Sequence, residues 1–425
     1  MPEKAVVMQG LDHWEALTCL RFVPANATSL LPHLQFRRLA GCRSGVGIEK
    51  AGGQNVSIGA NCNKMGIVVH EVGHAIGLYH EIRRPDRDTH VAVNEHNILP
   101  HELYNFHKMH WLDTTVTYDL SSVMHYHTLE WSANGRTTVA TRDPMLQGVL
   151  GGWKRSSLSL GLSHRDAFLA NHIYGCLEQW LGQCGLKRNP CDNEGYLGPS
   201  CTCVCPSGTT GRTCDTVKAS YYEHLKSPCS QHITSPTTIA SPRYPAHYDA
   251  GTWCVYRVEA PQCHAPEVTV LDMELGPQDR RHHCHTDYIE VRNESLYDGF
   301  LVCGSEVAPG TVWRASGVTL ILYFRGEAGG FRGFQASVSF SPLPGCCGSH
   351  PTTSSPTTYY LHTPGYPSPV TTPFNCSYSI PVDSPMKVVV KVKSVRVEGE
   401  TAALARTQDP ACSLTLCQPH GRCHR

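Results

Sequence analysis

The spacing of apolar residues divides the first part of the chain into helices and a strand. Residues 66–80, GIVVHEVGHAIGLYH, have apolar positions suited to packing and predict the strongest helix. A further helix is predicted over residues 164–176, and Gly175 would end it. Residues 12–19 are typical of the end of a helix, and a strand is expected at Leu20–Val23.

The pattern changes to much shorter elements after residue 183. Residues 184–214 hold six cysteines among Gly and Pro turns, so disulfides must stabilise a segment too short for a hydrophobic core. Residues 229–340 contain strand-like runs separated by turn residues, which is typical of a β-sandwich. These runs are WCVYRVEA, EVTVLDMEL, DYIEVR, VTLILYF and FQASVSF. Two more runs, FNCSYSI and MKVVVKVKSVRVE, follow a Pro/Thr/Ser-rich stretch at 351–358.

Composition narrows the class of protein. A length of 425 residues indicates roughly two to four domains. Lys plus Arg and Asp plus Glu both number 36, so the chain lacks the net positive charge of a broad nucleic-acid binder. No run of about 18 apolar residues predicts a membrane-spanning helix.

The 21 cysteines and four N-x-[ST] sequons favour a secreted glycoprotein. The sequons are at Asn26, Asn55, Asn293 and Asn375. The first residues, MPEKAVVMQG, have no apolar signal-peptide region, so we expect the chain to be truncated at its start. The odd cysteine count suggests that its end is incomplete too.

The chemistry is concentrated in residues 70–80, which read HExxHxxGxxH. On a helix His70 and His74 lie on one face, and Glu71 lies beside that face. Gly77 can adopt a positive φ and turn the chain so that His80 supplies a third ligand. Three imidazoles leave a position for water, as a catalytic zinc site requires, and Glu71 would take the proton of that water.

The alternative to a zinc site is a helix with chance histidines in a chain that holds 25 of them. The eleven-residue motif with a glycine at its turn argues against chance. Residues 121–126, SSVMHY, add a methionine turn of the metzincin kind at Met124. Taken alone, Met124 would more often be ordinary core filling.

HEVGHAIGLYHEIRRPDRDTHV at 70–91, with SVMHY at 122–126, resembles the astacin family of metzincin proteases. CRSGVGIEKAGGQNVSIGANCNKMGIV resembles its tolloid and blastula-protease branch. The resemblance implies an α+β metzincin catalytic domain over residues 1–178. It implies zinc held by His70, His74 and His80, with Glu71 as general base. It also implies Tyr126 as a fifth ligand that swings to stabilise the tetrahedral intermediate.

In the family, the glutamate after the third histidine, here Glu81, contacts the N-terminus freed by propeptide removal. This chain begins partway into the first family helix, so we expect it to lack the propeptide, the first strand and an ammonium partner for Glu81. The resemblance also implies the bridges Cys19–Cys176 and Cys42–Cys62. The alternative, free buried thiols, does not suit a secreted protein.

Residues 184–215, ending in CVCPSGTTGRTC, resemble an EGF-like module. The resemblance implies the bridges Cys184–Cys201, Cys191–Cys203 and Cys205–Cys214, whereas spacing alone leaves the connectivity open. No acidic calcium-binding signature precedes Cys184, so no calcium is expected in this module.

Residues 229–340 resemble a CUB domain, an all-β sandwich, which implies the bridges Cys229–Cys254 and Cys284–Cys303 and leaves Cys263 unassigned. Many such domains bind calcium through carboxylates, which here would be Glu274, Asp287 and Glu327. Glu327 replaces the usual Asp. Solvated carboxylates are the alternative for Glu274 and Glu327.

Residues 347–398 resemble the first part of another CUB domain, and residues 412–425 resemble the start of a second EGF-like module. The alternative is a natural tail that pairs its cysteines differently. The partners of the remaining cysteines are not assigned: Cys346, Cys347, Cys376, Cys412, Cys417 and Cys423.

These features predict a secreted zinc metalloendopeptidase that cleaves extracellular matrix or developmental proteins. Its EGF-like and CUB modules would bind substrates or partners. The alternative is a non-catalytic adhesion or scaffold protein, against which the intact zinc motif argues. A structural zinc site is a third alternative, but such a site would use four protein ligands.

The resemblance also bears on substrate specificity. Relatives often prefer an acidic residue after the scissile bond. Here Arg155 or, as second choice, Lys154 would bind that residue. Solvated surface charges are the alternative for both.

Overall fold

The computed structural model describes residues 2–26, 31–49, 52–151, 161–261, 264–280 and 282–343, together with four strand segments at 352–355, 358–360, 376–379 and 413–416. The α-helices of this part of the chain are α1 (Pro2–Leu17), α2 (Met65–Ala75), α3 (His164–Ile173) and α4 (Cys176–Gln183). Short 3-10 helices lie at Glu81–Arg83, Arg87–Thr89, Glu95–Asn97, Pro100–Phe106, Pro144–Val149 and Glu223–Leu225. None of the described helices combines the length and the apolar character needed to cross a membrane.

The strands fall into a short N-terminal set, four small strands in the cysteine-rich segment, a large set after residue 230 and four segments near the end. In chain order they are β1 (Leu34–Arg37), β2 (Cys42–Arg43), β3 (Gln54–Ile58), β4 (Val91–Val93), β5 (Val139–Thr141), β6 (Tyr196–Leu197), β7 (Cys203–Val204), β8 (Thr209–Thr210), β9 (Thr216–Val217), β10 (Gln231–Ile233), β11 (Thr237–Ala240), β12 (Thr252–Glu259), β13 (His264–Glu274), β14 (Asp287–Arg292), β15 (Phe300–Val302), β16 (Val312–Arg314), β17 (Thr319–Gly326), β18 (Gly333–Pro342), β19 (Thr352–Ser355), β20 (Thr358–Tyr360), β21 (Cys376–Ser379) and β22 (Ser413–Leu416).

The N-terminal domain is built around α2, which is buried along its whole length apart from Met65. A helix that is buried on every side needs apolar residues on every side, and α2 has them at Ile67, Val68, Val69 and Val72. Helix α1 packs against it, and the Trp14 indole donates a hydrogen bond to the Val69 carbonyl at 3.1 Å. A three-stranded sheet, in the order β1-β3-β2, lies on the same core, with β1 parallel and β2 antiparallel to β3.

The strand expected at Leu20–Val23 is wrong. The backbone N–H of Leu20 donates to the Thr18 hydroxyl at 3.2 Å, and that of Phe22 donates to the Glu15 carboxylate at 2.6 Å. Side chains at the end of α1 therefore take the donors that a strand would use in a ladder.

Gly175 ends the closing helix as expected, but a second helix follows it directly. Helix α3 ends at Ile173, Gly175 has a φ of 67°, and α4 begins at Cys176. Trp180 of α4 is buried against Cys176 and Tyr196, so α4 connects the N-terminal domain to the cysteine-rich segment.

The cysteine-rich segment consists of two antiparallel strand pairs, β6 with β7 and β8 with β9. It is joined by the disulfides Cys184–Cys201, Cys191–Cys203 and Cys205–Cys214. The Tyr196 ring stacks on Phe168 of α3 at a centroid distance of 5.2 Å. The small module therefore completes its core with residues of the N-terminal domain.

The next domain is a sandwich of two sheets, in the orders β10-β12-β17-β14-β15 and β11-β18-β13-β16. The five strand-like runs of the sequence correspond to β12, β13, β14, β17 and β18. Apolar side chains of both sheets form the core between them.

Each of the seven disulfides expected from the sequence is bonded in the structure. Besides the three of the cysteine-rich segment, they are Cys19–Cys176, Cys42–Cys62, Cys229–Cys254 and Cys284–Cys303.

The outer face of the five-stranded sheet is buried against the N-terminal domain. Trp253 and Val255 of β12 face the 3-10 helix Pro144–Val149, whereas the alternating Cys254 and Tyr256 face the sandwich core. On β14, Glu290 and Arg292 form a fully buried ion pair of 2.9 Å. The Arg292 guanidinium also donates to Gln147 of the N-terminal domain at 2.8 Å. The two domains therefore share one buried interface.

Near the end of the chain, β19 pairs with β20 and β21 pairs with β22, both antiparallel. The expected second CUB part (347–398) and EGF-like start (412–425) lie mostly outside the described residues. So do the cysteines at 263, 346, 347, 412, 417 and 423, while Cys376 opens β21.

Candidate metal centre

Three histidines converge at the end of α2. Their potential donor atoms all lie within 4.8 Å of one another, and Nε2 of His74 is 3.1 Å from Nε2 of His80. Ligand nitrogens around a tetrahedral zinc, each about 2.0–2.1 Å from the metal, lie about 3.3 Å apart. His70, His74 and His80 therefore stand close to the spacing that zinc requires.

Gly77 turns the chain between the second and third histidines. Its φ is +102°, a conformation that strains other residues. Its N–H donates to the His74 carbonyl at 2.8 Å, and the Leu78 N–H donates to Gly73 at 2.9 Å. The positive φ expected at Gly77 is confirmed, and it brings His80 back beside the helix.

Backbone carbonyls orient two of the imidazoles. Nδ1 of His70 lies 2.6 Å from the Val123 carbonyl oxygen, and Nδ1 of His74 lies 2.8 Å from that of Leu78. A nitrogen that donates to a carbonyl carries the proton, so the Nε2 lone pair remains for a metal. Burial lowers the pKa of His74, which keeps its imidazole neutral. This donor set fits a zinc ion.

Glu71 and Tyr126 adjoin the three histidines. Glu71 follows His70 in α2, and its side chain is buried. The Tyr126 hydroxyl is 3.1 Å from Nδ1 of His80, and the two rings are 4.5 Å apart. Burial, assisted by the Glu130 charge, raises the pKa of Tyr126, so its phenol remains protonated at neutral pH. The structure thus brings the three histidines and Tyr126 together, and Glu71 lies next to His70 in the same helix.

Met124 lies directly beneath α2. A Cβ atom on Gly73 would be only 2.8 Å from the Met124 sulfur, so this close packing depends on glycine. The Met124 carbonyl accepts a hydrogen bond from the N–H of Glu81 at 3.0 Å. The methionine turn therefore contacts both the helix and the segment just after the third histidine.

Asp166 of α3 holds the methionine turn in place, a contact that the sequence pattern did not predict. Its carboxylate accepts hydrogen bonds from the Ser122 hydroxyl at 2.5 Å and from the Val123 N–H at 2.8 Å. It also closes a capping box with Ser163. Burial and the nearby Asp119 charge raise the pKa of Asp166 to about 6. The S-x-x-D pattern at 163–166 was the available signal for the cap, but not for its contact with the turn.

Glu81 is buried beside Arg84, whose guanidinium lies 3.3 Å from its carboxylate. It also accepts a hydrogen bond from the Asp119 N–H at 2.9 Å. Burial raises the pKa of Glu81 to about 8, and the Arg84 charge opposes the rise. The sequence predicts that Glu81 has no ammonium partner in this chain, and the Arg84 guanidinium stands next to its carboxylate instead.

The three carboxylates expected to bind calcium point to different partners. Asp287 is buried and accepts hydrogen bonds from the Tyr248 hydroxyl at 3.0 Å and from the loop after β17. Glu274 forms an ion pair with Arg332, and Glu327 forms one with Arg325 at 3.3 Å. These three do not form one of the donor clusters among the described residues. Calcium binding there stays a prediction.

The predicted glycosylation sites and the predicted substrate-binding residues lie at the surface or outside the described residues. Asn55 is exposed on β3, and Asn293 lies just after β14, partly exposed. Asn26 is exposed, but its sequon extends into residues that are not described. Asn375, Lys154 and Arg155 lie outside the described residues.

Comparison with known proteins gives two family matches and several relatives. Residues 1–175 match the Astacin peptidase family, and residues 229–338 match the CUB domain. Blastula protease 10 of Paracentrotus lividus is 37% identical over 348 residues, which cover 79% of this chain and 55% of that protein. Protein SpAN of Strongylocentrotus purpuratus is 36% identical over 349 residues, covering 79% and 53%. Zinc metalloproteinase dpy-31 of Caenorhabditis elegans is 32% identical over 356 residues, covering 81% and 57%. The chain thus spans about half the length of these curated relatives.

Proposed function

Because residues 1–175 match the astacin family of peptidases, we propose that the chain is a secreted zinc-dependent endopeptidase. One observation carries the proposal. The donor atoms of His70, His74 and His80 converge within 4.8 Å, and Glu71, the residue after His70 in α2, is buried. Three imidazoles with an adjacent carboxylate are the residues that a catalytic zinc site needs, whereas a structural zinc site uses a fourth protein ligand.

When bound, zinc lowers the pKa of a water molecule and polarises the scissile carbonyl. Glu71 accepts the proton of the attacking water and then delivers it to the leaving amine. Glu71 follows His70 in α2 and is not among the three clustered donors, so its carboxylate can take this proton without being a metal ligand. The imidazoles of His70 and His74 keep a fixed tautomer because the Val123 and Leu78 carbonyls hold their Nδ1 protons.

Tyr126 acts as a hydrogen-bond donor to the oxyanion of the tetrahedral intermediate. Its raised pKa keeps the proton on the phenol, so the hydroxyl can donate to developing negative charge. Its contact with Nδ1 of His80 gives the hydroxyl a resting position at the edge of the site.

The modules after the peptidase domain bind extracellular protein substrates or partners. The six cysteines of residues 184–214 pair in the pattern expected of an EGF-like module, and the sandwich that follows is a CUB domain. Disulfides of this number suit an oxidising compartment outside the cell.

Substrate specificity is proposed from the sequence alone. Arg155 is the proposed partner of an acidic residue after the scissile bond, with Lys154 as second choice. A peptide library would show this as enrichment of Asp or Glu, which Arg155→Ala should abolish.

Glu71→Gln tests the peptidase function most directly. The variant should retain zinc, because Glu71 is not a ligand, and lose nearly all peptide cleavage. Glu178→Gln, which changes an exposed glutamate on α4, is the matched control and should keep both. Cleavage by the Glu71→Gln variant at the wild-type rate would refute the role of Glu71. Failure of the wild-type chain to bind zinc would refute the metal centre itself.

A further inference from the structure

The loop between β13 and β14 holds a second cluster of metal-binding side chains. Potential donor atoms of Asp279, His283 and His285 all lie within 4.8 Å of one another. Apart from His70, His74 and His80, no other described residues form a three-donor cluster of this kind. We propose that these three residues bind a second divalent transition-metal ion of the zinc type, separate from the catalytic centre.

The local backbone holds the three side chains together. The Asp279 N–H donates to the His283 carbonyl at 2.9 Å, and the His283 N–H donates to Asp279 Oδ1 at 2.9 Å. The other carboxylate oxygen, Oδ2, lies 3.1 Å from Nε2 of His285. This spacing is close to the distance of about 3.3 Å between neighbouring ligands of a tetrahedral zinc.

A disulfide fixes the position of the two histidines. Cys284 stands between them, is 5% exposed and is bonded to Cys303 of the sandwich. The rings of His283 and His285, on either side of Cys284 in the chain, lie 5.7 Å apart. The disulfide therefore anchors the stretch that carries both imidazoles.

The donor chemistry selects the class of ion. Two imidazoles and one carboxylate suit zinc and its neighbours, whereas calcium and magnesium prefer oxygen ligands. The His285 side chain is 52% exposed and that of Asp279 is 36% exposed, which leaves room for water to complete the coordination. The competing explanation is a simple surface ion pair between Asp279 and protonated His285, which would contribute little.

The site lies where the CUB domain contacts the peptidase domain. The His283 ring is 3.1 Å from the position that a Cβ atom on Gly135 would occupy. His285 lines a cavity of about 400 Å³ with His127 and Leu129 of the peptidase domain. His127 directly follows Tyr126 in the chain. A metal ion held here therefore lies beside the segment that carries this tyrosine.

Zinc binding by the 425-residue chain tests the inference independently of peptidase activity. The chain is titrated with zinc in competition with a chromophoric chelator, and the bound zinc per chain is counted. Wild type should bind one more zinc equivalent than the double variant His283→Ala/His285→Ala. The variant should still cleave peptides, because neither residue belongs to the catalytic centre, and cleavage also reports that it has folded.

Two further variants separate a metal site from an ion pair. Asp279→His replaces the carboxylate with another donor and should retain the extra equivalent, whereas Asp279→Asn should weaken it. His232→Ala is the matched control, because His232 also forms an ion pair, with Glu259 at 2.6 Å, but belongs to no three-donor cluster among the described residues. The same zinc count in wild type and in the double variant, or an equal loss in the His232→Ala control, would overturn the inference.

Discussion

The Nδ1 atom of His70 lies 2.6 Å from the carbonyl oxygen of Val123. The N–H of the same Val123 donates to the carboxylate of Asp166 at 2.8 Å. One residue of the methionine turn therefore connects the closing helix α3 to the first proposed zinc ligand. The orientation of His70 depends on a side chain that stands 96 residues later in the printed sequence.

Asp166→Ala should weaken zinc binding although Asp166 is not a ligand. Loss of an outer partner that orients a metal-binding histidine typically weakens metal affinity about 10–100-fold. The zinc dissociation constant, measured by chelator competition, checks this. Asp143→Ala is the control, since Asp143 caps the 3-10 helix Pro144–Val149 by accepting from the Met145 N–H. The control should lose about 1 kcal/mol of stability with zinc affinity unchanged. Equal zinc affinity in wild type and Asp166→Ala would show that the turn does not need this contact.

Tyr126→Phe should lower kcat far more than it changes KM. In the proposed role the hydroxyl contributes mainly in the transition state, and removal of one such donor costs about 10²–10³-fold. Zinc content should be unchanged, because the three histidines remain. Tyr174→Phe serves as the comparison, since that hydroxyl donates to the Ile76 carbonyl at 2.9 Å near the end of α2. A Tyr126→Phe variant with lower stability but unaltered kcat would assign the tyrosine a structural role.

The sequence predicted the metal centre well because its chemistry is local. His70, Glu71, His74, Gly77 and His80 lie within eleven residues, and helical geometry determines how most of them face. The strands of the sandwich were likewise predictable from short apolar runs. The role of Asp166 was not predictable, because its contact with Val123 joins elements that are distant in sequence.

The sequence pattern also did not predict the interface between the two domains. Charged residues on alternate positions of a strand usually face water. Glu290 and Arg292 of β14 are fully buried instead, because each satisfies the other and Arg292 also binds Gln147. Only the tertiary structure shows that the second face of this sheet is covered. A pattern of hydrophobicity reports burial, but not which domain provides it.

Gly148→Ala should destabilise this interface. An added Cβ would overlap the Trp253 ring, so either the ring or the 3-10 helix Pro144–Val149 must move. Overpacking of this kind costs about 1–3 kcal/mol. A lower midpoint of thermal unfolding checks the prediction. Gly182→Ala provides the contrast, because nothing lies within 4 Å of its added Cβ and alanine favours the helix α4. An unchanged midpoint for Gly148→Ala would mean that the domains do not pack this closely in solution.

The contact between the cysteine-rich segment and the N-terminal domain should depend on pH. The Arg165 guanidinium binds the Glu194 carboxylate through two hydrogen bonds, of 2.7 and 3.0 Å, and the Thr117 hydroxyl adds a third of 2.7 Å. Burial favours a higher pKa for Glu194, but the hydrogen bonds from Arg165 and Thr117 outweigh it and hold the pKa below the ordinary 4.5. The folded state therefore prefers the ionised carboxylate.

For a carboxyl with a depressed pKa, the stabilisation is present above the unfolded-state value and disappears as pH falls through the folded-state value. Glu194→Gln should accordingly lower the thermal unfolding midpoint at pH 7, and the difference from wild type should shrink as the pH falls below 4.5. Glu223→Gln is the control, because its exposed pair with Lys226 should have no measurable effect at either pH. A difference between wild type and Glu194→Gln that stays constant down to about pH 3 would show that the contact does not depend on charge.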